Sequence, residues 1–363
     1  MIKIPQNIKS LKAYKPGKPI SEIKKELGLD EVAILWNNEN NFGSSPMAVK
    51  RVQEVLGESH LYPDPLSQNL REALAKKLNR NPNQIICGNG SESLLMNILK
   101  AFCSGDDELL TSEGSFVIIY IWSMINDVPC VKVPMTEDYR FDMDAILRRI
   151  NSKTKVIYLP NSNNPTGSMI TREELDTFMR KIPDHILVVL DEAYFEYSVE
   201  LTKDFPDSLS YDYPNILTLR TFSKAYGIAG NRIGYAVGPE ELIEPLIKVK
   251  LTFEPSNLAQ AAGLGALEDD AFLKKTVQNN KKGLEYYYNQ FKALGLKYFP
   301  SYANFVMVDL ETEEEANRVF EELMKRGVFV RTLPAFGLPH CIRISVGRPE
   351  ENELCVKMLK EVL

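Results

Sequence analysis

Lys224 has the clearest potential for covalent chemistry, because it lies in a segment, 221–234, that follows a strand predicted near 216–220. Ligands of open α/β sheets sit at the carboxyl ends of the strands. A lysine amine there can form a Schiff base with an aldehyde when its surroundings favour the neutral form. Ser223 and Arg232 flank it, and a hydroxyl with a guanidinium suits a phosphate group. A single lysine after a strand is more often a solvated surface residue, so the neighbouring motifs decide the interpretation.

The carboxylate of Asp191 is the second candidate, at the start of the motif Asp191-Glu192-Ala193-Tyr194. It follows an apolar run, and a carboxylate buried there needs a cationic or hydrogen-bonding partner. The protonated nitrogen of a pyridine ring is such a partner. Pyridoxal phosphate chemistry requires one, because the ring accepts electrons only while its nitrogen is positive. Helix capping or a buried ion pair is the structural alternative.

A turn at 161–167 follows the predicted strand Val156 to Leu159 and contains Asn, Pro and Gly, which are typical turn residues. Asn164 comes directly before a proline, which holds the asparagine side chain rigid. It can donate a hydrogen bond to the ring oxygen of a pyridoxal cofactor, with Tyr194 as a second donor.

A glycine-rich turn at 88–93 precedes a helical run. Backbone amides at a helix N-terminus bind phosphate, and Gly90 lets the chain approach closely. Ser93 stands where a dinucleotide-binding fingerprint needs its third glycine, so that fingerprint is incomplete. Phe116, early in the next helical stretch, can stack on a cofactor ring, although an aromatic there is as often part of the core.

The elements that must position these residues alternate between Ile85 and Val237. The β-rich runs predict strands at Ile85 to Cys87, Glu108 to Thr111, Cys130 to Val133, Val156 to Leu159, Ile186 to Leu190 and Ile216 to Leu219. Strands that alternate with helical patterns are typical of an α/β domain with a central, mostly parallel sheet flanked by helices. Residues 186–190 are all apolar, which predicts a central strand covered on both faces.

A different pattern begins after Glu268. Long charged helices lead to predicted strands at Asn304 to Leu310, Val328 to Arg331 and Cys341 to Val346, with a helix at Glu313 to Lys325. This pattern predicts a small α+β domain. The expected organisation is an N-terminal arm at 1–45, a large α/β cofactor-binding domain at 46–267 and a small C-terminal domain at 268–363. The arm is expected to pack on another part of the molecule or on another subunit.

Composition excludes several classes of protein. The chain has 363 residues, a formal net charge of -6 and no long Lys/Arg run, which argues against a nucleic acid or an anionic membrane as partner. Its longest apolar run, Phe116 to Ile125, is far shorter than the ~20 residues that cross a bilayer and predicts a buried helix. The segment from Met1 to Lys18 lacks the apolar core of a signal peptide. Five cysteines without a CxxC pair fit reduced thiols in the cytoplasm.

Two other enzyme classes find little support. His60, His185 and His340 lie far apart in the sequence and in no metal-ligand spacing, so no metal is expected. The Gly-x-Ser-x-Gly elbow of many serine hydrolases is absent from the sequence. A non-catalytic ligand-binding protein on an α/β scaffold is the alternative from another class, and it predicts no covalent cofactor.

The spacing of the motifs adds further support. Lys224 follows Asp191 by 33 residues, Arg232 follows Lys224 by 8, and Asp191 follows Asn164 by 27. With these motifs the chain resembles fold type I pyridoxal phosphate aminotransferases. More narrowly, it is similar to the histidinol-phosphate aminotransferase family over nearly its full length. The further matching residues are Asn38 to Gly43, Tyr62 to Pro65, Asn304-Phe305, Arg331, Ala335 to Pro339 and Ile342 to Gly347.

The resemblance implies a role for each matching residue. Lys224 corresponds to the Schiff-base lysine and proton carrier, Asp191 to the partner of the pyridine nitrogen, and Tyr194 with Asn164 to the donors to the ring oxygen. Phe116 occupies the stacking position. The other expected cofactor contacts are Gly90, Ser91, Glu92, Ser223 and Arg232, with Tyr62 reaching the cofactor phosphate of the neighbouring subunit in a homodimer. The expected substrate contacts are Arg343, Arg331, Asn38 and Tyr14. Asn41 departs from the pattern, because the family usually has proline after Asn-Glu-Asn, and this affects the expected contacts near Asn38 to Phe42.

The implied reaction is a ping-pong transamination. L-Glutamate gives its amino group to the cofactor, and imidazole-acetol phosphate takes it to become L-histidinol phosphate, a step of histidine biosynthesis. Two arginines suit this pair, because one pocket must accept a carboxylate in one half-reaction and a phosphate in the other. An aromatic amino acid aminotransferase or a threonine-phosphate decarboxylase shares these cofactor motifs and is the alternative on the same fold.

Overall fold

The computed structural model describes residues 2–13, 19–29 and 31–363. Its strands are β1 (Ala33–Ile34), β2 (Ile85–Gly88), β3 (Glu108–Ser112), β4 (Cys130–Val133), β5 (Thr154–Pro160), β6 (Leu187–Asp191), β7 (Ile216–Thr221), β8 (Gly234–Val237), β9 (Lys297–Phe299), β10 (Phe305–Asp309), β11 (Val328–Phe329), β12 (Arg331–Leu333) and β13 (Leu338–Ser345).

The α-helices are α1 (Gln6–Ser10), α2 (Ile20–Leu27), α3 (Pro46–Val55), α4 (Gln68–Leu78), α5 (Gly90–Phe102), α6 (Val117–Ile125), α7 (Met143–Arg149), α8 (Arg172–Met179), α9 (Phe195–Leu201), α10 (Glu240–Val249), α11 (Asn257–Leu267), α12 (Asp270–Ala293), α13 (Glu313–Lys325) and α14 (Pro349–Val362).

A seven-stranded sheet forms the centre of the large α/β unit, in the order β2-β8-β7-β6-β5-β3-β4. Strands β4, β3, β5, β6 and β7 pair in parallel, and β8 runs antiparallel to both of its neighbours. The mostly parallel sheet predicted from the sequence is therefore confirmed. The short strand β8 is an element that the alternating pattern did not predict.

Helices cover both faces of this sheet because successive side chains of a strand point to opposite sides. In β6, Leu187 and Val189 pack with α5, α6 and α10, while Val188 and Leu190 pack with α7 and α8. Every residue of β6 is buried, as expected for a strand that is apolar at each position. The predicted central strand is confirmed.

Two smaller sheets contain the strands of the C-terminal part of the chain, and one of them also includes β1. One is antiparallel, in the order β12-β13-β10-β9, and the other pairs β1 in parallel with β11. Ala33 lies opposite Val328 in that second pair, so the end of the N-terminal segment is bonded to the C-terminal part of the same chain. The single strand predicted at 328–331 is wrong in detail. The chain changes pairing partner after Phe329, and β12 then joins β13.

The helix α6 departs from its prediction as a buried helix. Ile119 and Ser123 are buried, but Met124 and Ile125 at its end are exposed. The end lies near the N-terminal helix α1, where the Asn7 amide donates to the carbonyl of Met124. No helix within residues 2–13, 19–29 and 31–363 is both long enough and apolar enough to cross a membrane. All five cysteines are free thiols, and three of them are buried.

The sheet brings the motifs together at one edge. Pro160 at the end of β5 lies opposite Asp191 at the end of β6, and Asp191 lies opposite Leu219 in β7. On the far side of β7, Thr221 lies opposite Gly234 of β8, which in turn faces Gly88 of β2. The turns that follow β2, β5, β6 and β7 therefore open onto a common space.

Candidate active site

A cavity of about 730 Å³ lies at this edge of the sheet. Most of the cofactor-site residues predicted from the sequence line it, at or after the ends of five different strands. They are Gly90, Ser91, Glu92, Phe116, Asn164, Asp191, Tyr194, Ser223, Lys224 and Arg232. Such a volume is in the range of small-molecule pockets.

The amine of Lys224 faces the cavity from the turn after β7 and donates to the backbone carbonyl of Asn37, 3.2 Å away. Burial lowers the pKa of Lys224 to about 8, and the positive charges of Arg343 and Arg232 act in the same direction. The negative charge of Glu39 opposes them. The neutral form, which a nucleophilic lysine needs, is therefore far more populated near neutral pH than in an ordinary lysine.

The carboxylate of Asp191 has one oxygen bonded and one free. The Tyr158 hydroxyl donates to Oδ2 over 2.7 Å, while Oδ1 is buried and has no partner among the residues that the structure describes. Burial raises the pKa of Asp191 to about 6, against the effect of the Tyr158 hydrogen bond and the Ala193 amide. A buried, unpartnered carboxylate oxygen at a cavity wall is suited to a cationic or N–H donor from a ligand.

The phenol of Tyr194 is held from behind. The side-chain amide of Asn38 donates to its oxygen over 2.9 Å, and Asn38 also exchanges hydrogen bonds with Ser345 at the end of β13. Burial raises the pKa of Tyr194 to about 12, although the charge of Arg343 opposes this shift. Tyr194 therefore stays protonated and can donate. Asn38, expected as a substrate contact, is buried behind Tyr194 and is not on the cavity wall.

The start of α5 forms one end of the cavity. Gly90 has a φ of +78°, and a Cβ added there would lie 2.6 Å from Nη2 of Arg232, so this position accepts only glycine without a shift. Nη2 of Arg232 lies 3.9 Å from the Glu92 carboxylate, and Ser223 accepts a hydrogen bond from Thr221. Helix amides, hydroxyl groups and a guanidinium thus converge, as in sites that bind phosphate.

Arg343 lies on β13 and is only 5% exposed. Its guanidinium donates to Oδ1 of Asn164 and to the carbonyl of Trp36, while its buried Nε has no partner in the described part of the chain. Burial lowers the pKa of Arg343 to about 10, and the charge of Arg331 acts in the same direction. Arg343 is therefore still cationic at neutral pH.

Arg343, Arg331 and Tyr62, which were also predicted, are not among the residues that line the cavity. Arg331 is exposed and lies opposite Arg343 in the β12–β13 ladder. Tyr62 is 80% exposed and stacks on Phe253 with ring centroids 4.2 Å apart. Tyr14 lies outside the described residues.

The structure also places at the site several residues to which the sequence analysis assigned no role. Tyr158, Asn37 and Glu39 are three of them: Tyr158 bonds Asp191, and the other two line the cavity. A tyrosine within the apolar strand β5 was the only sequence signal for the first. The next two residues are held by hydrogen bonds. The Asn40 amide donates to Ala225 and Thr276, and the Asn41 amide donates to Glu351.

A second group of polar side chains lies away from the cavity. Asp309, His340 and Cys341 have potential metal-ligating atoms within 4.8 Å of one another, a proximity that the sequence spacing did not indicate for His340. These groups already have partners. Lys297 lies 2.7 Å from the Asp309 carboxylate, and His340 bonds the Tyr139 hydroxyl. Burial raises the pKa of Cys341 to about 12, which disfavours the thiolate that metals bind.

Comparison with known proteins gives consistent matches over the whole chain. The model of the family "Aminotransferase class I and II" matches residues 31–359. The histidinol-phosphate aminotransferase of Brevibacillus brevis is 40% identical over 360 residues, which cover 99% of this chain and 98% of that protein. The enzyme of the same name from Geobacillus sp. (strain WCH70) is 38% identical over 364 residues, which cover 100% of this chain and 98% of that protein.

Solved structures agree with the sequence relatives. The crystal structure of histidinol-phosphate aminotransferase from Sinorhizobium meliloti, in complex with pyridoxal-5′-phosphate, has a TM-score of 0.89 at 30% identity and covers 100% of this chain and 98% of its own. An aspartate aminotransferase double mutant from Thermus thermophilus has a TM-score of 0.86 at 26% identity, with both chains covered in full.

Proposed function

Because the chain belongs to the class I and II aminotransferases and, within them, to the histidinol-phosphate aminotransferase family, we propose that it transfers the amino group of L-glutamate to imidazole-acetol phosphate. The products are L-histidinol phosphate and 2-oxoglutarate, and the reaction is a step of histidine biosynthesis. The observation that carries the proposal is that Lys224 and Asp191 line the same cavity. The chain that forms this cavity is 38–40% identical to histidinol-phosphate aminotransferases.

The residues around the cavity fit pyridoxal 5′-phosphate as cofactor. The unpartnered Oδ1 of Asp191 suits the N–H of a protonated pyridine ring, and the glycine at 90 leaves room beside Arg232 for a phosphate. When bound, this cofactor draws electrons from the Cα atom of an attached amino acid and so makes the Cα proton acidic.

We assign the cofactor contacts by position. Lys224 would hold the cofactor through its aldehyde group, and Asp191 would hold the protonated ring nitrogen. Asn164 and Tyr194 donate to the ring oxygen, and Phe116 packs on the ring. The phosphate contacts are Gly90, Ser91, Glu92, Ser223 and Arg232, of which Glu92 acts through its place at the start of α5 and its proximity to Arg232.

Lys224 also serves as the acid and base of the reaction. With the cofactor bound, the Lys224 amine would be the group that takes up and returns the Cα proton of the substrate. Its lowered pKa, about 8, supports this role, because the amine can exist in both protonation states near neutral pH. Tyr194, which holds its proton to a pKa of about 12, remains a donor throughout.

Arg343 and Arg331 are the proposed anchors for the anionic group of each substrate. Arg343 is already buried and cationic beside Asn164, so it meets a carboxylate or a phosphate in a site with little water. Arg331 adds a second positive charge on the neighbouring strand. Asn38 contributes from behind by fixing Tyr194. Tyr14 is kept as a further proposed phosphate contact from the N-terminal segment.

We also propose that the enzyme works as a homodimer in the cytoplasm. Exposed apolar side chains cluster near Tyr62 in the sequence and across its ring stack, and they include Leu61, Leu66, Leu251 and Phe253. A surface of this kind is typical of a subunit interface. In a dimer it would let Tyr62 reach the phosphate site of the neighbouring subunit. Five free thiols fit a reducing compartment.

A visible spectrum tests the proposal directly. The purified protein is expected to show the absorption band of the lysine-bound cofactor, and the band should bleach on addition of L-glutamate or, in a fresh sample, L-histidinol phosphate. Lys224→Ala should remove the band, whereas Lys248→Ala, which changes an exposed surface lysine, should retain it.

The other outcomes separate the alternatives. A band that responds to glutamate and phenylalanine but not to histidinol phosphate would indicate an aromatic amino acid aminotransferase. Release of carbon dioxide from threonine phosphate would indicate the decarboxylase. Absence of any band after addition of pyridoxal phosphate would contradict the assignment as a cofactor-dependent enzyme.

A further inference from the structure

Tyr158 is a fully buried tyrosine in β5 whose hydroxyl donates to Oδ2 of Asp191 over 2.7 Å. The two residues lie on adjacent parallel strands, where Tyr158 is opposite Val189 and Pro160 is opposite Asp191. The tyrosine therefore reaches toward the end of β6 from two positions further back in the ladder.

The contact divides the two oxygens of the carboxylate. Oδ2 accepts from Tyr158, while Oδ1 is buried and free of partners within the part of the chain that the structure describes. Asp191 lines the cavity. One oxygen is thus fixed toward the protein, and the other is left for a donor that enters the cavity.

The donor itself is held in place. Thr111 in β3 donates a hydrogen bond to the backbone carbonyl of Tyr158, and the ring packs among buried apolar residues that include Leu109 and Val189. Burial and the charge of Asp191 raise the pKa of Tyr158 well above its usual value, so the phenol remains a donor. A donor fixed in advance costs no reorganisation when the ligand arrives.

We infer that Tyr158 is a positioning residue that keeps the Asp191 carboxylate ionised and turned with Oδ1 toward the cavity, ready for the ring nitrogen of the cofactor. The inference rests on the proposed function, in which Asp191 pairs with that nitrogen. Tyr158 does not touch the cofactor in this scheme and acts through the carboxylate alone.

The charges around Asp191 set the direction of the expected effect. Burial and Glu192 favour the neutral acid, whereas Tyr158, the Ala193 amide and the ammonium group of Lys224 favour the carboxylate. Removing the Tyr158 hydroxyl takes away one group on the ionising side. The pKa of Asp191, about 6 in the intact protein, must then rise. A hydrogen bond to a charged group corresponds to a rise of about one to two pH units.

The test compares Tyr158→Phe with the parent protein and with Tyr287→Phe. Tyr287 is also fully buried, and its hydroxyl donates to Asn352 outside the cavity wall. The dissociation constant for pyridoxal phosphate is measured from about pH 5.5 to about pH 9 by equilibrium dialysis, together with the pH dependence of kcat/KM for glutamate.

In Tyr158→Phe the acid limb of both profiles is expected to move upward by about one to two pH units, so that affinity falls about five- to fiftyfold at pH 6 and changes little at pH 9. Tyr287→Phe should leave the limb in place. A loss of affinity that is equal at every pH, or no loss, would overturn the inference, because a packing defect does not move a titration.

Two further variants keep the outcomes distinct. Asp191→Asn removes the carboxylate itself, and if it leaves cofactor affinity and its pH profile unchanged, the proposed role of Asp191 fails and not merely that of Tyr158. Should Tyr158→Phe not fold, 3-fluorotyrosine at position 158 retains the hydroxyl and makes it a stronger donor. The acid limb should then move downward, and an unmoved limb would refute the role of Tyr158.

Discussion

Exchanging Arg343 for lysine keeps a positive charge but removes the planar fork of donors that a guanidinium presents. In the structure, two of its nitrogens already bond Asn164 and Trp36, and the third, Nε, is buried without a partner in the described residues. A lysine at this position can satisfy at most part of this set. If the substrate anion loses one charge-assisted hydrogen bond, the loss is about 1.5–3 kcal/mol. That corresponds to a fall of about ten- to hundredfold in kcat/KM.

The assay is kcat/KM for L-glutamate and for L-histidinol phosphate, since Arg343 is proposed to bind the anion of both. The matched control is Arg71→Lys, because Arg71 is also a buried arginine and donates to the carbonyl of Pro82, away from the cavity wall. Both variants should retain the cofactor absorption band. Equal activity in the two variants would refute the placement of the substrate anion at Arg343, and so would a fall confined to one of the two substrates.

Three other predictions concern separate parts of the site. In cofactor-free protein, the rate at which pyridoxal phosphate attaches to Lys224 should rise with pH and level off above about 8, because the pKa of the amine is lowered and only its neutral form reacts; a rise that continues to pH 10 would contradict this. Glu39 lines the cavity without a hydrogen-bond partner among the described residues. Histidinol phosphate has an imidazole group that can donate to this carboxylate, and glutamate has none. Glu39→Gln should therefore lower kcat/KM for histidinol phosphate about tenfold more than kcat/KM for glutamate. Equal effects on the two substrates would argue against that contact. Tyr62→Ala mixed with Lys224→Ala should regain activity as subunits exchange, because one site of the mixed dimer is then intact; no recovery would contradict the shared site.

The large sheet was predictable because its strands are short β-rich runs that alternate with helical patterns, and the central run is apolar at every position. The six predicted strands are present with ends that differ by no more than two residues, and α13 has its predicted bounds. Burial on both faces leaves such runs little alternative to a strand. By contrast, β1 and β11 are two residues each and form only because they pair with one another across the chain. Local pattern carries no information about a pairing of that range.

The site followed the same rule. Residues next to strand ends, such as Asp191 and Lys224, could be placed from their motifs, because the carboxyl ends of parallel strands meet at one edge. The contacts that orient these side chains and shift their pKa values could not be predicted from the motifs. Tyr158 reaches Asp191 only through the register of β5 against β6, and Arg343 reaches Asn164 across 179 residues of sequence. Asn41, which departs from the family pattern, bonds Glu351 in α14, a contact that a proline side chain cannot make.

Burial at the cavity wall brings the pKa values of Asp191 and Lys224 closer together. The ordinary pKa values of an aspartate and a lysine, 3.8 and 10.5, become about 6 and about 8 for Asp191 and Lys224. Loss of solvation disfavours the charged form of each, so the shifts have opposite signs and one cause. Between these two values Asp191 is mostly ionised, while Lys224 exchanges its proton at little cost. Both properties suit the proposed roles. Asp191 must stay ionised to hold a protonated ligand, and Lys224 must accept and release a proton. The Tyr158 hydroxyl lowers the pKa of Asp191 and has no direct effect on Lys224. A change at Tyr158 should therefore narrow the pH range of activity at its acid end and leave its alkaline end in place.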